Sequence, residues 1–317
     1  MERISLPWLD NRYCQLIILL DGAADEPHEL LGGKTPFEVA SMPYLKRLIH
    51  QGFVGEYQTI PAGCIPSSEV ANLMILGYDD EAKNVEGRAG FEALGLGLHF
   101  SSSTLCYRCD LHHYPSNLCI PKEIGILYRG VGHRHIFRPN LERQTEEQAI
   151  AGLQKFIQLT TLESPHIWGR SIVQGIRFEP FQQRYHFRHP YMISAVPVMW
   201  GIAKALSIPI EFVPGATGET DSNFRGKALQ AMKLIEEGSD FVYLHIEAPD
   251  EASHRKNPLE VKEILERIDY EVIMPITEWR TRIPDCKPAL TILPDHYTSS
   301  TTGRHLDKAV PYLHIKS

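Results

Sequence analysis

Three short apolar runs, each followed by acidic or imidazole side chains, constrain the fold of this chain more than any other feature. They cover residues 16–20, 241–246 and 289–293. Uninterrupted apolar runs of this length are typical of parallel strands that are buried on both faces. Segments with helical spacing of apolar residues, such as 192–206 and 258–277, separate the runs. Strands that alternate with helices predict an α/β fold built on a mainly parallel sheet.

The residues that follow these runs form a candidate active site. In open α/β sheets the ligand binds at the carboxyl ends of the strands, so side chains that follow different strands can meet there. Six such side chains carry oxygen or nitrogen donors suited to a metal ion: Asp21, Asp250, His254, Asp295, His296 and His305. A single aspartate at such a place could merely cap a helix, whereas the whole set indicates a functional cluster.

A pair of serines, Ser67 and Ser68, opens another predicted helix. The pair follows the Pro- and Gly-rich segment 61–66 and precedes Glu69, where a helical pattern over residues 69–76 begins. Serine is common at this position as a helix cap. The same position places a hydroxyl among free backbone N–H groups at the positive end of the helix dipole, which suits a phosphoryl group. These residues alone leave both a capping and a nucleophilic role open.

Composition excludes several other classes of protein. The 317 residues include 32 Lys and Arg against 39 Asp and Glu, a net charge of −7, which argues against a nucleic-acid or anionic-membrane surface. The longest apolar run, residues 16–20, is too short to span a bilayer. The six cysteines, Cys286 among them, are too few and too unevenly spread for a disulfide scaffold. We therefore expect a soluble, cytoplasmic protein with reduced thiols.

The middle of the chain differs in character from the rest. Residues 101–190 contain scattered short apolar segments with many His and Arg residues, and residues 101–104 have the composition of a linker. We predict two domains from this change. Residues 1–100 and 191–317 would form a discontinuous core that carries the metal-binding residues, and residues 101–190 would form an inserted domain.

Several blocks of the sequence resemble those of a known family. These blocks are residues 20–27, 33–43, 76–78, 87–95, 213–218 and 245–254. They resemble the alkaline phosphatase superfamily and, within it, the archaeal-type cofactor-independent (2,3-bisphosphoglycerate-independent) phosphoglycerate mutases. The resemblance implies an alkaline-phosphatase-like layered α/β/α core with a smaller inserted α+β domain that acts as a substrate-binding lid. The insert is shorter here than is usual in the family. The chains of family members normally continue with a further helix beyond the position that Ser317 occupies.

The resemblance also implies roles for the site residues. Four residues would hold one divalent cation: Asp21, Ser68, Asp295 and His296. Three would hold the other: Asp250, His254 and His305. The cations would be Mn²⁺ or Mg²⁺, with Zn²⁺ or Co²⁺ as alternatives. Ser68 is the predicted nucleophile because it stands directly before an acidic residue, as the family serine does, although Ser67 replaces the family glycine. The predicted substrate-binding residues are Arg88, Arg108 and Lys227.

The activity implied by the resemblance is the interconversion of 3-phosphoglycerate and 2-phosphoglycerate through a phosphoserine, a step of glycolysis that here needs no 2,3-bisphosphoglycerate. The expected partner is a small phosphorylated metabolite, with no nucleic acid and no membrane, and the oligomeric state stays open. A homoserine-kinase-like phosphotransferase and a metal-dependent phosphomonoesterase are alternatives. A non-catalytic metal-binding relic is a further alternative, which the complete set of seven ligand positions disfavours.

Overall fold

The structure of this chain is a computed structural model that describes residues 6–101, 103–116, 118–172, 178–283 and 287–317. Cys286 and one residue of the predicted linker, Ser102, lie outside the described residues. The strands, in chain order, are β1 (Gln15–Leu20), β2 (Phe53–Tyr57), β3 (Leu105–Asp110), β4 (Gly125–Val131), β5 (Arg134–Pro139), β6 (His166–Ile172), β7 (Pro190–Ile193), β8 (Ile210–Glu211), β9 (Phe241–Ile246), β10 (Ala289–Leu293), β11 (Tyr297–Ser299), β12 (Arg304–Leu306) and β13 (Val310–Ile315).

The helices differ widely in length. In chain order they are α1 (Pro36–Val39), α2 (Pro43–Ile49), α3 (Ser68–Ile75), α4 (Asp79–Ala82), α5 (Ala89–Gly95), α6 (Glu146–Thr161), α7 (Phe181–Tyr185), α8 (Pro197–Ala205), α9 (Phe224–Glu236), α10 (Ala248–His254), α11 (Pro258–Ile268) and α12 (Met274–Arg282). A π-helical segment, Asp269–Ile273, joins α11 to α12. Within the described ranges, no helix is both long enough and apolar enough to cross a membrane.

Two of the predicted helices have different bounds in the structure. The helix predicted over residues 192–206 begins only at Pro197, because residues 190–193 form strand β7, which pairs in parallel with β9. A place in the sheet thus overrides the helical spacing. The segment predicted as one helix over 258–277 is α11 followed by the π-helical segment and α12. Pro275, near the start of α12, has no N–H to continue the regular hydrogen-bond ladder.

The larger of two compact units is built on a seven-stranded sheet. This unit comprises Met1–Lys83, Glu179–Ala195 and Ser207–Ser317. The strand order is β2-β13-β10-β1-β9-β7-β8. Strand β1 lies between β10 and β9 and runs parallel to both, while β13 and β2 add antiparallel strands at one edge. The predicted α/β class with a mainly parallel sheet is confirmed.

The central strands of this sheet are buried along their whole length, and this burial fixes the positions of the strand ends. Every residue of β1, β9 and β10 is buried. Apolar side chains of α9, α11 and α12 belong to the same core cluster as those of β1. Burial of each large apolar side chain, such as Leu16 or Ile18, contributes roughly 1.5–3 kcal/mol. The residues that directly follow these strands are therefore held by a rigid core.

The smaller unit comprises Asn84–Phe178 and Val196–Leu206. Its four-stranded sheet is antiparallel with the order β4-β5-β3-β6. Helix α6 begins with a capping box between Thr145 and Gln148, and its apolar face belongs to the core cluster of this unit. The unit differs in its bounds from the predicted insert of residues 101–190. It includes α5 and α8, which are distant in sequence and pack closely through Gly95 and Gly201.

The contact between α5 and α8 leads to a prediction about stability. A Cβ atom at Gly201 would lie far inside contact distance of the Phe91 carbonyl oxygen. We therefore expect Gly201→Ala to lower the free energy of unfolding by about 1–3 kcal/mol. Gly152 in α6 is the matched control, because a Cβ there would meet Ile124 at an ordinary 3.5 Å. Gly152→Ala should stabilise the protein by about 0.5–1 kcal/mol. Urea unfolding measures both, and equal stability of Gly201→Ala and wild type would contradict this packing.

Candidate active site

Three neighbouring parallel strands bring the predicted site residues to one edge of the larger sheet. In the register of these strands, Leu19 of β1 pairs with Leu293 of β10 and with His245 of β9. Asp21 directly follows β1, Asp295 and His296 follow β10, and Asp250 lies on α10, which begins just after β9. The carboxyl ends of the strands thus converge, as the apolar runs predict.

The first group of donors surrounds the imidazole of His296. Its Nε2 atom lies 3.5 Å from Asp21 Oδ1 and 3.3 Å from Asp295 Oδ2. The Ser68 hydroxyl lies 3.3 Å from the same nitrogen. One donor atom from each of Asp21, Asp295 and His296 lies within 4.8 Å of the others, and all three residues are buried. The structure therefore gathers the four residues of the first predicted metal site.

The second group is centred on Asp250. Its Oδ2 lies 3.1 Å from His254 Nε2, and its Oδ1 lies 3.4 Å from His305 Nε2. The two imidazole nitrogens are 3.1 Å apart. The ring of His305 stacks on that of His296 with a centroid distance of 3.8 Å, so the two groups form one continuous cluster.

The nucleophile candidate lies at the start of α3. Ser68 is the first residue of this helix and is buried, whereas Ser67 is the N-cap residue in an extended conformation. The Ser67 side chain makes no capping hydrogen bond. Of the two serines, Ser68 is thus the one whose hydroxyl reaches the cluster, at the end of the helix where the dipole favours negative charge.

Three neighbouring residues hold the cluster and were not predicted. Asn72 donates to Asp295 Oδ2 at 3.1 Å and to the Ser68 carbonyl oxygen at 2.9 Å. The Tyr243 hydroxyl donates to Asn72 Oδ1 at 2.6 Å, and the Thr298 hydroxyl donates to Asp250 Oδ1 at 2.7 Å. Asn72 follows Ser68 by four residues, so helical spacing was a usable signal for it. Nothing in the local sequence distinguishes Tyr243 or Thr298.

Close packing at Gly22 also shapes the cluster. Its backbone N–H donates to Asp295 Oδ1 at 3.0 Å, and its φ of +58° lies in the left-handed region. A Cβ atom there would lie 2.6 Å from the Thr298 hydroxyl oxygen and would also collide with Asp250. Only glycine fits both the backbone conformation and this space.

The electrostatics of the cluster favour a cation. Burial, together with the charges of Asp295 and Asp250, raises the pKa of Asp21 well above its usual range. Burial lowers the pKa of His296 to about 4, so its imidazole is neutral at pH 7 and has a free lone pair for a metal. The Asp250 carboxylate raises the pKa of His254 to about 9, so this imidazole must release its proton when it binds a metal. A divalent cation among these groups would offset the repulsion between the carboxylates.

The donor set fits divalent cations. Carboxylate oxygens and imidazole nitrogens together are the ligands preferred by Mn²⁺, Zn²⁺ and related ions. Asp21 Oδ1 is buried and has no hydrogen-bond partner among the described residues, although it lies 3.5 Å from His296 Nε2. A buried carboxylate oxygen without a donor is costly unless a cation is bound to it.

The two predicted substrate arginines lie in the smaller unit. Arg108 on β3 is buried and contacts Glu92 and Asp110, each at 2.5 Å. Arg88 lies 3.2 Å from the same Glu92. Both guanidinium groups lie over the Trp168 ring, at 5.1 Å for Arg88 and 5.5 Å for Arg108. The structure therefore brings the two arginines together on one carboxylate.

Lys227 has partners that its predicted role does not include. Its side chain on α9 is completely buried, its ammonium group pairs with Glu247, and it donates to the His245 carbonyl oxygen at 2.9 Å. Glu247 therefore balances the charge of Lys227 within the protein. The predicted contact of Lys227 with a phosphoryl group stays a prediction.

The strand ends of the mainly parallel sheet gather three carboxylates, three imidazoles and a buried serine hydroxyl. This combination on an α/β fold defines a metal-dependent enzyme. Comparison of the sequence with family models agrees with this class. The chain belongs to the metalloenzyme superfamily, whose model matches residues 14–317.

Curated relatives give a more specific similarity than the superfamily does. A protein of Geobacter sulfurreducens, named a probable 2,3-bisphosphoglycerate-independent phosphoglycerate mutase, is 27% identical over 94% of this chain and 89% of its own length. Proteins of Methanosarcina barkeri and Methanothermobacter thermautotrophicus, which also carry the name of that mutase, are 28% and 29% identical over 93% of this chain. They are covered over 88% and 87% of their lengths. The predicted resemblance is thus confirmed.

Solved structures agree with the fold. A protein from Pyrococcus horikoshii matches 95% of this chain and 84% of its own with a TM-score of 0.68 at 26% identity. A cofactor-independent phosphoglycerate mutase from Thermoplasma acidophilum matches 95% of this chain and 89% of its own, with a TM-score of 0.57 at 18% identity. At that identity the second match supports the fold alone.

Proposed function

We propose that this chain is a 2,3-bisphosphoglycerate-independent phosphoglycerate mutase that interconverts 3-phosphoglycerate and 2-phosphoglycerate in the cytoplasm. The observation that carries the proposal is the Ser68 hydroxyl, 3.3 Å from His296 Nε2 at the start of α3 and beside the carboxylate and imidazole cluster. The names of the relatives select the substrate from the phosphate esters that such a site could accept.

Two divalent cations, Mn²⁺ or Mg²⁺, would occupy the cluster. Asp21, Ser68, Asp295 and His296 would hold one of them, and Asp250, His254 and His305 would hold the other. When bound, the cations supply positive charge that offsets the charge on the transferring phosphoryl group. The buried oxygen of Asp21 without a hydrogen-bond partner supports this arrangement.

The covalent chemistry belongs to Ser68. Its oxygen attacks the phosphorus of 3-phosphoglycerate, the bond from phosphorus to the 3-oxygen breaks, and the serine proton ends on the 3-hydroxyl of glycerate. In the second step the 2-hydroxyl of glycerate attacks the phosphorus of the phosphoserine, the bond from phosphorus to the Ser68 oxygen breaks, and the proton of the 2-hydroxyl ends on Ser68. The backbone N–H groups at the start of α3 stabilise the negative phosphoryl oxygens in both steps.

A mutase must also keep water away from the phosphoserine, since hydrolysis would release free phosphate. We assign this task to the insert predicted at residues 101–190, whose sheet and helix α6 form a separate core in the smaller unit. The insert would retain glycerate between the two steps, while glycerate turns so that its 2-hydroxyl takes the position of its 3-hydroxyl.

The test is an assay of the purified protein with Mn²⁺ and 3-phosphoglycerate that follows both 2-phosphoglycerate and free phosphate. Formation of 2-phosphoglycerate supports the proposal. Free phosphate alone would indicate a phosphomonoesterase, and transfer of phosphate from ATP to homoserine would indicate the kinase-like alternative. Bound metal without any turnover would favour a relic.

We further propose that Arg88 and Arg108 bind the substrate carboxylate, because a planar guanidinium can hold a carboxylate by two hydrogen bonds. Arg88→Lys keeps the charge and removes this geometry. We expect the KM for 3-phosphoglycerate to rise about tenfold, as for the loss of one hydrogen bond between charged groups, with a smaller change in kcat. Arg170→Lys, at an ion pair with Glu146 in the same unit, is the control and should leave KM unchanged. An unchanged KM in Arg88→Lys would contradict its role in binding.

A further inference from the structure

A buried series of charged groups lies behind Asp21 and takes no part in the proposed reaction. It begins at Lys227, whose ammonium group pairs with Glu247. Glu247 Oε1 lies 3.1 Å from His245 Nδ1, and His245 Nε2 lies 3.1 Å from Asp21 Oδ2. Lys227 and His245 have no exposed side-chain surface. An unbroken line of contacts therefore leads from α9 to a proposed metal ligand.

Glu247 is the fixed point of this series. Its Oε1 accepts hydrogen bonds from the Ser194 hydroxyl at 2.9 Å and from the Ala195 backbone N–H at 2.8 Å. Its Oε2 accepts from Lys227. Rotation of this carboxylate would leave several buried groups unpaired, which is costly in a dry interior. The ring of His245 is held in turn, because its Nδ1 faces Glu247 and the Ser194 hydroxyl.

The orientation of this ring decides which oxygen Asp21 offers to the cluster. Asp21 Oδ2 faces His245, whereas Oδ1 lies 3.5 Å from His296 Nε2 and lacks a hydrogen-bond partner among the described groups. Partners in this position commonly orient metal ligands, and their loss weakens metal binding. One oxygen of Asp21 thus faces the His245 imidazole at 3.1 Å, and the other is left for an ion.

We infer that His245, anchored by Glu247 and Lys227, is a positioning residue that holds Asp21 as a ligand with one oxygen. The inference rests on the proposed metal centre. It also explains why a lysine is buried on α9, since its charge keeps the Glu247 carboxylate ionised and in place behind the imidazole.

Mn²⁺ binding to the full chain, followed by electron paramagnetic resonance, tests this role. His245→Asn and His245→Gln form a matched pair, because a glutamine amide can reach the position of Nε2 beside Asp21 and the shorter asparagine amide cannot. We expect His245→Asn to weaken one of the two binding steps roughly tenfold to hundredfold, and His245→Gln to restore most of the affinity. Asp21→Asn identifies the affected step as the Asp21 site.

The other binding step, at Asp250, His254 and His305, is an internal control and should change much less. His314→Asn removes a buried imidazole of β13 that contacts Thr291, and it should alter neither step. Thermal unfolding of each variant confirms that the chain is folded. If His245→Asn does not fold, Glu247→Gln replaces it, with a weaker loss expected at the same step.

The outcomes separate the inference from the proposed function. Weak binding in His245→Asn that glutamine restores supports the positioning role, since a merely structural loss would weaken both steps. Two tight Mn²⁺ ions in wild type and equally tight binding in both His245 variants would overturn the inference alone. A wild-type chain that binds no Mn²⁺ would overturn the proposed function and the inference together.

Discussion

Replacement of Ser68 by alanine should abolish phosphoryl transfer. The Ser68 hydroxyl is the one that reaches His296 at the start of α3, so its loss removes the atom that carries the phosphoryl group between the two steps. Loss of a nucleophilic serine lowers kcat by about 10⁴-fold or more. The formation of 2-phosphoglycerate from 3-phosphoglycerate with saturating Mn²⁺ measures the effect.

Ser67→Ala is the matched control for this prediction. Ser67 precedes the nucleophile directly, but its side chain makes no capping hydrogen bond. We expect its kcat to stay within about tenfold of wild type, because the backbone can still adopt the extended N-cap conformation. The stability of both variants should be similar. Activity that survives in Ser68→Ala and disappears in Ser67→Ala would show that Ser67, and not Ser68, is the nucleophile.

The strands and the ligand cluster could be predicted from sequence for a common physical reason. A run that is apolar on both faces can only be buried, and parallel strands end at the same edge of a sheet. Asp21, Asp250 and Asp295 each follow such a run, so their convergence depends on topology rather than on detailed packing. The three runs coincide with β1, β9 and β10 to within one residue.

The contacts behind the cluster could not be predicted in the same way. Tyr243 and Thr298 reach the site through hydrogen bonds between residues that are far apart in sequence. Lys227 carries the expected charge, but its partner Glu247 lies between β9 and α10, and no spacing rule relates the two. The bounds of the smaller unit could not be predicted for the same reason, since the contact of α5 with α8 depends on close backbone approach at Gly201.

Removal of divalent cations should abolish activity and lower the melting temperature. Without them, burial and the charges of Asp295 and Asp250 raise the pKa of Asp21, so the folded state with an ionised Asp21 is disfavoured at neutral pH. Cations that bind only the folded chain stabilise it by about 2.7 kcal/mol per site at a free concentration of one hundred times Kd. Chelation with EDTA should therefore lower the melting temperature by roughly 5–10 °C for a chain of this size.

Mn²⁺ added in excess should restore both the activity and the melting temperature, because the ligands remain in place. Asp250→Asn tests whether the EDTA-induced shift in melting temperature comes from ions bound in the cluster. Asp250 contacts His254 and His305, so its loss should remove the second ion and leave a smaller response to EDTA than in wild type. Calorimetric scans with and without EDTA measure the response. An equal shift in Asp250→Asn and wild type would mean that the stabilising ions bind elsewhere, and full activity in EDTA would contradict a metal-dependent transfer to Ser68.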